Sequence, residues 1–212
     1  MNFGKNIERY KGFKSVKFAG VVVFSLLLVS FIWRWVGPNS IVEVAVSVRS
    51  AMVDGDGNRL FQSASPQEIG CSNLTPDKIS AAWLLLIKPA IQTSRFVRFA
   101  PAALNENGVQ ASASAKFLDH KGNPWEIYII ANQTDTAPKA STVYEMMCVA
   151  ASFDEKLVVR PFTARTMIDG IHRFAPSLRA AGIEKISINP KNCLSFSELE
   201  KMLTPGARLE KG

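Results

Sequence analysis

Val109-Gln110-Ala111-Ser112-Ala113-Ser114-Ala115-Lys116-Phe117 alternates strictly between apolar and polar side chains. Period two marks a strand with one face buried and the other in solvent. The apolar face is small, mostly alanine. Small side chains let a second layer approach closely, and a helix packed over this strand accounts for them. The loop Asp119-His120-Lys121-Gly122-Asn123-Pro124 then leads into Trp125, Ile127, Ile129 and Ala131, again at every second position. Residues 108–131 therefore read as an antiparallel hairpin. A hairpin of this kind, with helical segments before and after it, predicts an α+β fold: a curved, mostly antiparallel sheet covered by helices.

Working outward toward the N-terminus, Val42, Val44, Val46 and Val48 alternate with Glu43, Ala45, Ser47 and Arg49. This predicts a strand to Val53, a turn over Asp54-Gly55-Asp56-Gly57-Asn58, and a returning strand over 59–63. Residues 64–74 read as a loop. Thr75-Pro76 is a helix cap followed by proline at the first helical position, and it opens a helix over 76–87. That helix carries Ile79, Ala82, Trp83, Leu86 and Ile87 on one stripe, and Pro89 stops it. Arg95–Ala100 reads as a strand.

Toward the C-terminus, residues 132–142 are polar and contain Pro138, a loop composition. Residues 143–153 and 157–162 are expected to pair as strands across Asp154-Glu155-Lys156. Thr163 caps a helix holding Met167, Ile168, Ile171, Phe174 and Ala175, with Gly182 at its end. Residues 185–188 read as a short strand. Ser195-Phe196-Ser197-Glu198 is a capping box for a last helix, stopped by Thr204-Pro205-Gly206.

Residues 18–33 hold no charged side chain. Extended to Val36, the run makes about 28 Å of helix, close to the hydrocarbon thickness of a bilayer. The expected anchor is framed by Lys17 and Phe18 at one end and by Trp33, Arg34 and Trp35 at the other, where cations snorkel and aromatic rings sit at the interface. Lys5, Arg9, Lys11, Lys14 and Lys17 face a single Glu8 in the first 17 residues. The positive-inside bias places that end in the cytoplasm, with the rest beyond the inner membrane in the periplasm. A cleaved signal peptide is the rival reading. It is opposed by the long basic region and by the lack of paired small residues after Trp33. The organisation is then a basic tail (1–17), a transmembrane helix (18–36), a linker (37–40), one extracytoplasmic domain (41–204) and a frayed tail (205–212).

Charge excludes one class of partner. The net charge is +7, yet residues 37–212 carry 19 Lys plus Arg against 17 Asp plus Glu. The excess basicity belongs to the tail beside the membrane, where anionic headgroups explain it, and a nucleic-acid partner is not expected. The three cysteines, Cys71, Cys148 and Cys193, allow at most one internal disulfide. Cys148 lies in an apolar run and reads as a buried thiol. Cys71 and Cys193, both in expected loops, are the pair that oxidation would join, with two free thiols as the alternative.

Catalytic and cofactor motifs are missing. The Asp54–Asn58 run lacks the glycine and glutamate of a calcium loop and the third glycine of a dinucleotide fingerprint. His120 and His172 have no second ligand at metal spacing, and no Cys-x-x-Cys, nucleophile elbow or phosphate loop occurs. No catalytic, cofactor-binding or metal site is therefore assigned. Arg95-Phe96-Val97-Arg98-Phe99 mixes cations with aromatic rings. Lone cations on a strand usually guard an edge, and the same residues suit an interaction edge formed by Arg95, Phe96, Arg98 and Phe99.

The layout of basic tail, one helix and one α+β domain resembles that of the bitopic inner-membrane subunits of bacterial type IV secretion and conjugation machines. The resemblance is of layout and implies a non-enzymatic scaffold. Its partners would be the lipid bilayer, other envelope proteins and further copies of itself. An anchored immunity or exclusion protein that binds an incoming toxin is the alternative. An anchored envelope hydrolase is the third reading, opposed by the missing motifs.

Overall fold

The computed structural model describes residues 40–134, 139–189 and 192–204. The chain divides into two units, Met1–Asn39 and Ser40–Gly212. The expected anchor at 18–36, with Lys17, Phe18, Trp33, Arg34 and Trp35, lies outside the described residues, as do the basic tail and residues 205–212. Among the described residues no helix is long and apolar enough to cross a membrane.

Ser40–Gly212 is a mixed α+β unit with an antiparallel sheet and helices. Its first elements correct the expected order. The valine-rich stretch is helix α1 (Ile41–Asp54) and not a strand. Ser40 Oγ accepts from the Glu43 backbone N–H at 3.1 Å, and the Glu43 carboxylate accepts from the Ser40 N–H at 3.2 Å. This reciprocal capping box fixes a helical start. Ile41, Val44, Ala45, Val48, Ala51 and Met52 then form one buried stripe at helical spacing. Gly55 ends the helix at φ 75°, a conformation that favours glycine, and an added Cβ would meet the Trp83 ring at 2.8 Å.

The turn at 54–58 joins two helices instead of two strands. Asp56 caps α2 (Gly57–Ser63), which replaces the expected strand at 59–63. Ser65 and Pro66 open α3 (Pro66–Ser72) inside the expected loop. Thr75 caps α4 (Pro76–Leu86), as expected, and Ile79, Ala82 and Leu86 are buried. A short α5 (Lys88–Gln92), with Pro89 in its first turn, leads to the sheet.

The sheet runs β1 (Arg95–Phe99), β3 (Gln110–Leu118), β4 (Pro124–Asn132), β5 (Lys139–Ala140), with the short β2 (Ala103–Leu104) also on β3. All pairs are antiparallel, and β3 faces β4 in unbroken register from Gln110↔Asn132 to Leu118↔Pro124. Ala111, Ala113, Ala115 and Phe117 are buried on one face. Helix α1 packs over β3 and β4, so the alanine stripe is matched by the helix it calls for.

The expected strand at 143–153 is helix α6 (Thr142–Ala151), and 157–162 contributes a single bridge, Phe153↔Val159. Ser141 makes no side-chain cap for α6. Glu68 of α3 caps it instead, accepting from Thr142 N at 2.8 Å, Thr142 Oγ1 at 3.1 Å and Val143 N at 2.9 Å. Next comes α7 (Ala164–Ala180), started by Thr163. Gly170 lets α7 approach α6, since an added Cβ would lie 2.9 Å from the Ala151 Cβ. A hairpin of β6 (Lys185–Asn189) and β7 (Asn192–Ser195) leads to α8 (Phe196–Leu203), opened by the Ser195/Glu198 box.

Cys71 and Cys193 are joined by a disulfide, with Cα atoms 5.6 Å apart across 122 residues of sequence. Cys71 lies in α3 and Cys193 in β7, not in loops. Ser72 Oγ donates to the carbonyl oxygen of Lys185, which lies at the start of the strand that pairs with the one holding Cys193, so α3 is tied to both strands of that hairpin. Closing a loop this long restricts the unfolded chain by about 4–5 kcal/mol on a chain-entropy account. Cys148 is half-buried at the margin of the core.

Candidate interaction edge

Strand β1 has a strand neighbour on one side, β3, and all five of its residues are exposed. Its register assigns each side chain to a face. Phe96 stands opposite Phe117 and Phe99 opposite Ala115, on the helix-covered face; Arg95 stands opposite Leu118 and Arg98 opposite Lys116, on the outer face. A bulge between Phe96 and Arg98 makes this possible. Without it, Arg98 would face the helices and Phe99 the solvent.

The rings at the edge join the core. Phe99 lies 5.0 Å from Phe96 between ring centroids, Phe96 5.5 Å from Phe117, Phe117 4.5 Å from Trp125, and Trp125 5.0 Å from Phe153. Phe117 and Phe153 are fully buried, whereas Phe96 and Phe99 remain 45% and 44% exposed. The edge rings are therefore held from behind while their outer surfaces stay open. Trp125 is fixed by its indole N–H donating to Ser94 Oγ at 3.0 Å. Arg49 of α1 stacks its guanidinium 4.3 Å from the Phe99 ring centroid and donates to the Ala100 carbonyl oxygen at 2.9 Å. Its removal from water pushes its pKa down. Val97 and Leu104 add further exposed apolar surface at 48% and 52%. The structure thus brings Arg95, Phe96, Arg98 and Phe99 together on one edge.

Arg49 is the residue that sequence reading missed. Its signal is a lone cation inside a valine-rich run, one residue past Val48 and two before Ala51 of the buried stripe.

A second recess lies at the far end of α6. A polar groove of about 870 Å³ is lined by Lys121, Asp154, Arg160, Asp169, His172 and Arg173. Its arginines are already engaged. Arg173 donates to the carbonyl oxygens of Ala150 and Phe153 at 2.8 and 2.9 Å, and Arg160 donates to Ala151 at 3.2 Å while pairing with Asp169 at 3.2 Å. These cations satisfy the carbonyl end of α6. His172 Nε2 contacts Glu200 at 2.8 Å, and both are substantially exposed. Among the described residues no hydrogen bond joins either histidine to a hydroxyl or thiol, and no group of three metal-ligating side chains occurs.

A buried carboxylate, Glu68, and a half-buried one, Glu145, sit at the other end of α6. Burial pushes Glu68 up to about 7 despite the Thr142 and Val143 donors. Burial, with the Glu68 charge, pushes Glu145 up to about 7 as well. Burial and the Glu145 charge push the Cys148 thiol up to about 12, so it is protonated and a poor nucleophile at neutral pH. Asp119 is the opposite case. Loss of water would raise it, but donors from Val159, Asn123 and Lys121 hold it well below the usual carboxylate range.

No protein-family model, no curated protein and no solved structure matches the chain.

Proposed function

We propose that this chain is a membrane-anchored docking subunit. In this reading residues 18–36 hold the domain at the inner membrane with the N-terminus in the cytoplasm. The domain acts in the periplasm as a scaffold or assembly subunit of a secretion-type or conjugation-type envelope machine. The observation that carries the docking role is the open edge of β1, where Phe96, Val97 and Phe99 stay about half exposed on a strand whose second side pairs with no other strand among the described residues. Large apolar side chains on an open edge mark an interaction site. The uncharged run at 18–33 and its basic flank support the anchor. The Cys71–Cys193 disulfide supports an oxidising compartment for the domain. Anchoring confines partners to a thin layer and raises their effective concentration, so a modest interface suffices.

The test is photo-crosslinking in bacterial cells with the full chain carrying benzoylphenylalanine in place of Phe96 or Phe99. One discrete adduct with the same envelope protein is expected from both positions, and none from Arg165, which is exposed elsewhere. No adduct at either edge position, or the same adducts from Arg165, overturns the docking role. Loss of the protein from the membrane fraction when Val22 and Leu26 are both replaced by Arg is expected of the anchor.

A further inference from the structure

The two margins of the sheet differ. On the β4 side, Ala131 and Asn132 pair with β5, and Ala140 bridges on to Ala64, while residues 124–130 pair with β3 alone among the described residues. On the β1 side no strand follows among the described residues, along the whole length of β1. The outer-face row Arg98, Lys116, Glu126 runs cation, cation, anion, so Glu126 answers Lys116 and leaves Arg98 at the margin. Among the described residues neither Arg95 nor Arg98 forms an ion pair with an acidic side chain.

We infer that the β1 edge receives one extended segment of a partner protein as an added strand, and that this segment alternates apolar residues with acidic ones. This rests on the docking reading above and adds the partner's chemistry. The backbone of an added strand supplies hydrogen bonds, and its side chains supply selectivity. Residues on the helix-covered face of that strand lie against Phe96 and Phe99, and residues on its outer face lie against Arg95 and Arg98. Apolar and acidic side chains are the complements of those two sets. A second copy of this chain is the wrong occupant, because pairing β1 with β1 sets arginine against arginine on the outer face.

A pure edge guard is the competing account. Guards are charges that make an edge uninviting. Here the cations alternate with rings packed from behind. An outer recess of about 340 Å³ between Val97, Leu118, Pro124 and Trp125 also lies beside the strand. A guard needs neither feature.

The test uses the full chain in detergent micelles and two fluorescent nine-residue peptides. One alternates valine with glutamate and the other valine with lysine. Fluorescence anisotropy is expected to show saturable binding of the glutamate peptide at least tenfold tighter than the lysine peptide. Arg95→Glu combined with Arg98→Glu is expected to reverse that preference. Amide hydrogen exchange of 95–99 should slow when the glutamate peptide binds. Both arginines are exposed, and an unchanged near-ultraviolet circular dichroism spectrum confirms that the double variant folds. Equal affinity for the two peptides, no saturable binding, or protection elsewhere overturns the inference. If the Phe96 crosslink finds an envelope protein while the glutamate peptide fails to bind, this inference falls and the docking role stands. If the crosslink fails too, both fall. A crosslink from Phe96 to a second copy of the chain also overturns the inference.

Discussion

Helix α1 and strand β3 lie against each other and carry nearly the same spacing of apolar residues. Val42, Val44, Val46 and Val48 repeat every second position, as do Ala111, Ala113, Ala115 and Phe117. The difference lies between those positions. In β3 the intervening Gln110, Ser112, Ser114 and Lys116 are all polar, so one period fits. In α1 the intervening Ala45, with Ile41, Ala51 and Met52 outside the run, completes a second stripe at three-four spacing, and that stripe is the buried one. An alternating pattern decides a strand when it excludes the helical period, and the valine run does not exclude it. Ser40 and Glu43 then settle the matter locally.

The contact between the two elements is where the comparison breaks most sharply. Ala115→Leu puts three extra carbons between β3 and α1 and is expected to cost about 3 kcal/mol, read from the urea midpoint. A cost below about 0.5 kcal/mol would mean that α1 does not seat on the alanine stripe.

The way each helix starts extends the comparison. Helix α1 is capped by its own neighbours, whereas α6 is capped by Glu68, which lies 74 residues from Thr142 in sequence. Glu68 and Glu145 have folded-state pKa values raised from 4.5 to about 7. Their contribution to stability is therefore full below about pH 4.5 and is lost as pH rises through 7. Stability is expected to fall by on the order of 2 kcal/mol between pH 5 and pH 8. Glu68→Gln should remove at least half of that fall. A flat profile in the unsubstituted protein, measured by urea unfolding across this range, would contradict the loss of solvent around Glu68 and its neighbour Glu145. Asp119 works in the opposite sense, since its lowered pKa stabilises above the ordinary carboxylate range and is lost as the medium becomes strongly acidic.

Smaller effects sharpen the same contrast. Ser40→Ala removes the local start of α1 and is expected to cost about 1 kcal/mol, seen in thermal unfolding. Ser112→Val lies on the outer face of β3 and should change stability by less than about 0.5 kcal/mol. A Ser112→Val effect as large as that of Ala115→Leu would mean that the two faces of β3 are equally packed.

Legibility in the sequence follows the same rule. The β3–β4 hairpin, α4, α7 and α8 were readable because period and caps agree at each: alternation broken by Gly122, Thr75 before Pro76, Thr163, and the Ser195/Glu198 box. Helices α1, α2 and α6 were misread as strands. For α1 the alternation of valines alone reads as a strand, and the Ser40/Glu43 box that starts the helix lies at the end of the expected linker. For α6 no local signal exists, because Met146, Met147, Cys148 and Val149 are apolar all round and its cap arrives from α3. The composition of the edge at 95–99 was readable, and so was its mixture of cations and rings. The faces of those residues were not, since they depend on a bulge between Phe96 and Arg98 that the spacing of five residues does not reveal. The contribution of Arg49 was hidden for a related reason, because it reaches Phe99 through the packing of α1 on the sheet.

The Cys71–Cys193 bond also sets the path of a mechanical load. Tension applied between Ser40 and Thr204 runs along residues 40–71, crosses the sulfur bridge and leaves through 193–204. Everything between the two cysteines, including the whole sheet and its open edge, hangs off that path as a closed side loop. A pull on the ends of the domain is carried covalently through residues 40–71 and 193–204, and it reaches β1 only through the packing of α1 on the sheet and of Arg49 on Phe99.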